Sequence, residues 1–345
     1  MHSRLLGGLA PRTFLRRHWQ KRPLFVPGAL AAPQLVDERA LTALARRDDV
    51  ESRIVERRGN RRETRHGPFG PAIRLKRSAA TLLVSGVNLH LAAADRLLRR
   101  FDFIPQARLD DVMVSFATPG GGVGPHVDSY DVFLLQGAGT RKWRVWNDEG
   151  KLFSSHLARP GDLLYLPPGW KHDGVALEPC YTYSIGFRAP RGAELGAAFL
   201  DWLHSRGLPD ARYRDPALRP SSNSGAIPTT MIAFAASALR RIRWNRGDVA
   251  SFLGEYLTQP KAHVVFHPSR SRGRLLRLDP KTQLLYSGAR FFINGDECSI
   301  PARARAAMRE LADRRAIAAR RLAGAAKFVS EWRRAGYAHL TDKDG

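Results

Sequence analysis

His126 and Asp128 stand two residues apart in the run Gly120-Gly-Gly-Val-Gly-Pro-His126-Val-Asp128. On a strand, residues i and i+2 share a face, so an imidazole and a carboxylate project together into one space. A third ligand from a distant strand would complete two histidines and one carboxylate on one side of a metal. That facial triad leaves coordination positions open and is diagnostic of non-haem Fe(II) oxygenases. His172 is the best third ligand, because it follows a strand at Leu163–Leu166 and the tight turn Pro167-Pro168-Gly169. His156 is the rival, read as lying in a loop before Gly161-Asp162. With 11 histidines in the chain, His-x-Asp alone is a weak signal; the glycine-rich approach and the PPGWKH turn give it weight. The glycines are not a phosphate loop, since no Gly-Lys-Ser/Thr follows them.

Such an oxygenase needs a receptor for the far carboxylate of its 2-oxo acid. Arg141, fifteen residues after His126, is that candidate, because a planar guanidinium grips a carboxylate in a bidentate way. Strand alternation puts Arg141 and Trp143 on one face and Lys142 and Arg144 on the other. Arg141 is expected beside the His126 strand, pointing inward. Ser115, on the preceding strand, could add a hydroxyl to the same carboxylate.

These residues require a framework of short strands. Val112–Thr118, Val127–Gln136, Arg141–Trp146, Asp162–Leu166 and Tyr181–Phe187 are β-branched or aromatic and bounded by Gly and Pro. The pattern predicts an antiparallel sandwich or barrel, with a hairpin at Gly137-Ala138-Gly139-Thr140. Before this region lie short helices at 11–19, 40–47 and 91–100. After Pro190 the texture turns helical: a helix at 193–206, a Pro/Ser/Asn-rich linker at 210–225, and a long helix over 229–257 with an apolar face. Two strands, 275–278 and 284–292, are expected around the turn Asp279–Thr282, followed by basic helices at 302–321 and 325–336.

The 345 residues allow about two domains, and 43% hydrophobic with 26% charged residues is ordinary globular composition. No apolar run approaches the ~20 residues of a membrane helix. The N-terminal stretch shows no secretory h-region, and two cysteines cannot build a disulfide framework, so a cytoplasmic setting is expected. The net charge of +24 is unevenly spread: +13 over residues 1–100, −2 over 101–200 and +13 over 201–345. Basic flanks of this kind fit a ribosomal or nucleoprotein setting better than a small metabolite.

The runs DDVMVSFATPGGGVGPHVDSYDVFLLQGAGTRKWRVW, GDLLYLPPGWKHDGVAL and TYSIGFRAP, with the opening FLRRHWQKRPLFVPGAL, resemble the JmjC-type bacterial ribosomal oxygenases. The resemblance covers roughly residues 5–200 with specific motifs and is looser beyond. It implies an α+β chain: a double-stranded β-helix of the cupin/JmjC kind at 1–200 with N-terminal helical elements, a linker and helical dimerisation region at 201–258, and a winged-helix-like domain at 259–345. It implies Fe(II)- and 2-oxoglutarate-dependent hydroxylation at C3 of an arginine in large-subunit ribosomal protein uL16, with O2 as second co-substrate. His126, Asp128 and His172 would hold the iron, Arg141 would bind 2-oxoglutarate, and Ser115 falls where a second contact is expected. Ala117 departs from the family in lacking a hydroxyl. An arginine substrate needs acidic or π partners, for which Asp111, Tyr130 and Asp131 are candidates. The expected partners are a ribosomal protein substrate, a second copy of the chain and a weak electrostatic RNA contact. Other readings of the same residues are a demethylase, a small-molecule oxygenase, or a non-enzymatic metal-binding cupin serving ribosome assembly.

Overall fold

The computed structural model describes residues 2–31, 35–59, 61–70, 73, 75 and 79–342. Two antiparallel sheets face each other. The larger has eight strands in the order Leu24–Val26, Leu163–Leu166, Val132–Ala138, Cys180–Phe187, Leu109–Ala117, Ala79–Val84, Ser52–Arg58, Arg61–His66. The smaller runs His126–Val127, Lys171–Ala176, Arg141–Trp146, Leu152–Ala158. From Leu109–Ala117 onward the chain crosses back and forth between the two sheets, save for the hairpin Arg141–Trp146/Leu152–Ala158 within the smaller one, which is the double-stranded β-helix.

The run VFLLQGA in Val132–Ala138 is buried on both faces. Val132 and Leu134 join Trp143, Val145, Leu164 and Leu166 between the sheets. Phe133 and Leu135 face the other way, into a larger core with Phe14, Phe101, Tyr165 and Phe187. Helices Pro11–Arg17, Glu38–Ala45 and Ala92–Leu98 contribute Phe14, Leu41 and Leu97 to this core, so the big sheet is sealed on its outer side and its inner side is left to line a cavity.

Three expectations change here. The single strand over 127–136 is two: His126–Val127 belongs to the small sheet and Val132–Ala138 to the large one, with 128–131 crossing between. His156 sits on the strand Leu152–Ala158 rather than in the expected loop. The strands Ser52–Arg58, Arg61–His66 and Ala79–Val84 extend the large sheet from the N-terminal region, for which the sequence predicts only short helices.

The helical part comprises Gly192–Ser205, Thr229–Arg240 and Arg246–Thr258. The long helix expected over 229–257 breaks because Asn245 starts a new one. Its side chain accepts from Gly247 and Asp248 N–H, while Asp248 accepts from Asn245 N–H at 2.8 Å. In the C-terminal part, Leu275–Leu278 lies between Ala316–Ala318 and Ala338–Thr341, in a different sheet from the hairpin Leu284–Ser287/Arg290–Ile293. The two expected strands are therefore not partners. The helix expected over 302–321 ends at Arg314, where Arg315 takes a left-handed φ of 62° and turns the chain into Ala316–Ala318. Helices Arg305–Arg314 and Ala326–Ala335 pack Met308, Leu311 and Trp332 on Leu276 and Phe291. Gln106 ties this part to the barrel through hydrogen bonds to the carbonyls of Ala312 and Asp313. No helix among the described residues is long and apolar enough to cross a membrane.

Candidate metal and co-substrate site

Register brings the two histidines together. His126 lies directly opposite His172 on the neighbouring strand, and their rings sit 4.2 Å apart between centroids. Asp128 leaves the short strand just beyond, and Gly169 N–H donates to its carbonyl at 2.9 Å, tying the PPGW turn to the ligand loop. The Asp128 carboxylate reaches 3.8 Å from His126 Nε2 and 3.6 Å from His172 Nε2. One donor atom from each of the three residues falls within 4.8 Å of the others.

The backbone orients both rings. His126 Nδ1 donates to Gly124 C=O at 2.8 Å and His172 Nδ1 to Trp170 C=O at 2.9 Å. Holding the proton on Nδ1 leaves each Nε2 lone pair free for a cation. Burial pushes His172 below the usual imidazole range, so its neutral, ligating form persists to lower pH. His156, the rival, is elsewhere: it stacks on Phe25 at 4.2 Å, outside this cluster.

The glycine run is explained by closure of the barrel. Gly120 N–H donates to Ala176 C=O, and Ala176 N–H to Gly121 C=O, so the loop pairs with the end of the His172 strand. A Cβ at Gly121 would sit 2.4 Å from the Ala80 carbonyl, and one at Gly122 2.4 Å from that of Gly174.

The cavity above the three ligands measures about 490 Å³. Arg141 lines it and is only 4% exposed, with Trp143 on the same face and Lys142 and Arg144 outside. It is not adjacent to the His126 strand; the His172 strand lies between them. Arg141 opposes Ala176, four residues from His172, or roughly 13 Å along the strand at about 3.3 Å per residue. Its Nε has no hydrogen-bond partner among the described residues, and one terminal nitrogen meets only the Cys180 thiol at 3.6 Å. Leaving a buried guanidinium unpaired is costly, so this donor set fits an anion that completes it.

Ser115 also lines the cavity, and among the described residues its hydroxyl makes only a long hydrogen bond, 3.4 Å, to Thr182 C=O, which it can exchange for a carboxylate. Thr81, which the sequence reading passed over, has a fully buried hydroxyl with no partner among the described residues and lines the same cavity. It stands directly across from Ala117, the position lacking a hydroxyl, so Thr81 can supply the group from the next strand.

At the other end, Asp111 and Tyr130 line the cavity, as do Asp110 and Lys261. Lys261 Nζ lies 3.3 Å from Asp110 and 3.7 Å from Asp111. Burial pulls this ammonium down, but the two carboxylates together hold it above its ordinary value. Burial, aided by the Asp128 charge, pushes the Tyr130 phenol up to about 12. Asp131 differs from expectation: it is fully buried away from the cavity, accepting from Tyr165, Gln20 and Arg108. Alternation explains it, since Asp131 abuts Val132 where the chain enters the large sheet and turns toward the outer core. Asp110 and Lys261 carried no separate signal, because a doubled aspartate and a lone lysine after a helix read as surface charge.

Residues 96–195 match the JmjC domain family and residues 241–331 the ROXA-like winged helix. The ribosomal protein uL16 3-hydroxylase of Escherichia coli is 36% identical over 275 residues, covering 74% of this chain and 73% of that protein. A probable ribosomal oxygenase of Haemophilus influenzae is 34% identical over 212 residues, covering 54% and 52% of the two chains. The structure superposes on E. coli YcfD, a ribosomal oxygenase solved with cobalt and 2-oxoglutarate, with a TM-score of 0.82 and 31% identity over 96% of this chain and 98% of that one. By its two matched domains and the extent of these likenesses, the chain belongs to the JmjC ribosomal oxygenase family.

Proposed function

We propose that this protein is an Fe(II)- and 2-oxoglutarate-dependent hydroxylase of an arginine side chain, at C3, in large-subunit ribosomal protein uL16, acting in the cytoplasm. The observation that carries this reading is the pairing of a two-histidine, one-carboxylate cluster with a buried, unsatisfied guanidinium in one cavity. His126, Asp128 and His172 would hold the iron, and that donor set leaves positions open for substrates. Arg141, with Thr81 and Ser115, would bind the far carboxylate of 2-oxoglutarate. When bound, iron with 2-oxoglutarate and O2 supplies the oxidising equivalents that place oxygen in an unactivated C–H bond, releasing succinate and CO2. The chain itself fixes the ligand lone pairs through the Gly124 and Trp170 carbonyls, walls the pocket with Val132, Leu134 and Trp143, and orients the target side chain. Asp110, Asp111 and Tyr130 suit a cationic side chain approaching from the open end.

The same reading divides the chain into catalytic, helical and winged-helix-like parts at 1–200, 201–258 and 259–345. It pairs two copies through the helical part, where Ile227, Ile232 and Leu239 are all more than half exposed, an apolar surface a second copy would cover. The winged-helix-like part serves dimer support and substrate docking rather than sequence-specific DNA binding. Any RNA contact is electrostatic. The test is incubation with ribosomal proteins, Fe(II) and 2-oxoglutarate. A 16 Da gain on one arginine-containing uL16 peptide, with stoichiometric succinate, is the expected result. Succinate without a modified protein would point to a small-molecule oxygenase, and no succinate to a binding role.

A further inference from the structure

Five arginines, 57, 58, 61, 62 and 65, crowd one hairpin, and its two faces treat them differently. Arg61–His66 is the outermost strand of the large sheet and pairs with Ser52–Arg58. On the outer face, Arg58 lies 3.3 Å from Glu63 and 3.8 Å from Glu56, and Arg65 lies 3.6 Å from Glu56. Those charges are compensated within the hairpin.

The cavity face carries Arg53, Val55 and Arg57 on one strand and Arg62, Thr64 and His66 on the other, and the nearest carboxylate on this face is Glu51, just before the first strand and six positions from Arg57. Arg53, Val55, Arg62 and Thr64 line the cavity that holds His126, Asp128 and His172. Arg57 is directly opposite Arg62, a cross-strand like-charge pair that destabilises a sheet. Among the described residues, the side chains of Arg53, Arg57 and Arg62 make no hydrogen bond or ion pair. Charges on an edge strand guard against edge-to-edge pairing, but Arg53 and Arg57 are on the inner strand, so that role does not account for them. Arg62 lies against Gly124, where a Cβ would come within 2.6 Å of its Cζ. The same Gly124 carbonyl holds His126. Arg53 and Arg62 thus line the cavity, and Arg57 stands beside Arg62 at the end of the hairpin away from Asp110 and Asp111.

We propose that this arginine face is a docking surface for the phosphate backbone of RNA lying beside the target protein as it enters the cavity. Guanidinium groups pair bidentately with phosphates, and a row of them held in no ion pair is the electrostatic footprint of such binding. The choice of RNA rests on the ribosomal-protein reading above; the surface itself does not. The surface also assigns RNA contact to the N-terminal hairpin rather than to the basic C-terminal helices.

The test is fluorescence anisotropy of a labelled 20-nucleotide uridine RNA with the full chain across a salt series. Each lost phosphate contact flattens the log K against log salt slope by about 0.7 for single strands. Arg57→Gln/Arg62→Gln should flatten it by about 1.4. The outer-face double variant Arg58→Gln/Arg65→Gln, with the same change in net charge, should leave the slope within a few tenths. Equal losses in the two double variants, or no saturable binding at 50 mM salt, would overturn the proposal. Polyglutamate competing as tightly as the RNA would overturn it in favour of an acidic protein segment. Binding needs neither metal nor turnover. A chain that binds RNA through this face yet hydroxylates no ribosomal protein would refute the proposed function and leave the surface standing.

Discussion

Replacing Arg141 by Met separates a co-substrate receptor from a framework residue. The guanidinium is 4% exposed, its Nε is unpartnered among the described residues, and its nearest polar contact is a thiol at 3.6 Å. A charge-assisted, bidentate contact contributes on the order of 1.5–3 kcal/mol, so its loss should weaken 2-oxoglutarate binding roughly 10- to 150-fold. Stability should move the other way or not at all. The free protein buries a donor it does not satisfy, and an apolar side chain of similar length relieves that cost, by about 1 kcal/mol or less. Calorimetric titration of 2-oxoglutarate into the anaerobic metal-loaded protein gives the affinity, and thermal unfolding of the metal-free protein gives the stability. Arg141→Lys keeps the charge but loses the fork and should fall between. Thr81→Val, removing one neutral hydroxyl, should cost about 1 kcal/mol, or fivefold. Unchanged 2-oxoglutarate affinity together with a drop in melting temperature would show that Arg141 holds the barrel rather than the co-substrate.

His126→Ala, Asp128→Ala and His172→Ala should each abolish Fe(II) binding and 2-oxoglutarate turnover with little change in far-UV circular dichroism. His156→Ala should retain activity, and the reverse pattern would mean that the third ligand is misassigned. Light scattering at micromolar concentration should give a dimer, and Leu239→Glu should shift it to monomer; a monomeric parent chain refutes the pairing. His90 is pushed down to about 4, mainly by burial and then by Arg47. An unfolded His titrates near 6.5, so between pH 6.5 and about 4 the unfolded chain binds the extra proton and the fold loses stability as pH falls. His90→Gln should flatten the melting temperature against pH over that window, and an unchanged profile would show that another group governs it.

What the linear sequence determined is what depends on neighbours along the chain. His126 and Asp128 share a face because strand alternation is local, and Arg141 and Trp143 turn inward away from Lys142 and Arg144 for the same reason. The strand Leu163–Leu166 was legible because its short apolar run is bounded by Asp162 and Pro167. What tertiary structure decided is pairing. That His172 lies opposite His126, that the His172 strand separates it from Arg141, and that Asp131 is buried on the wrong side for a substrate are all consequences of sheet order and crossing, which periodicity does not encode. The break at Asn245 was legible in principle, from a cap residue with Asp248 three positions on, but the apolar stripe on either side masked it. Thr81, Asp110 and Lys261 meet the site only through long-range packing, and the sorting of the hairpin arginines into paired and unpaired faces depends on which face of the sheet the barrel encloses.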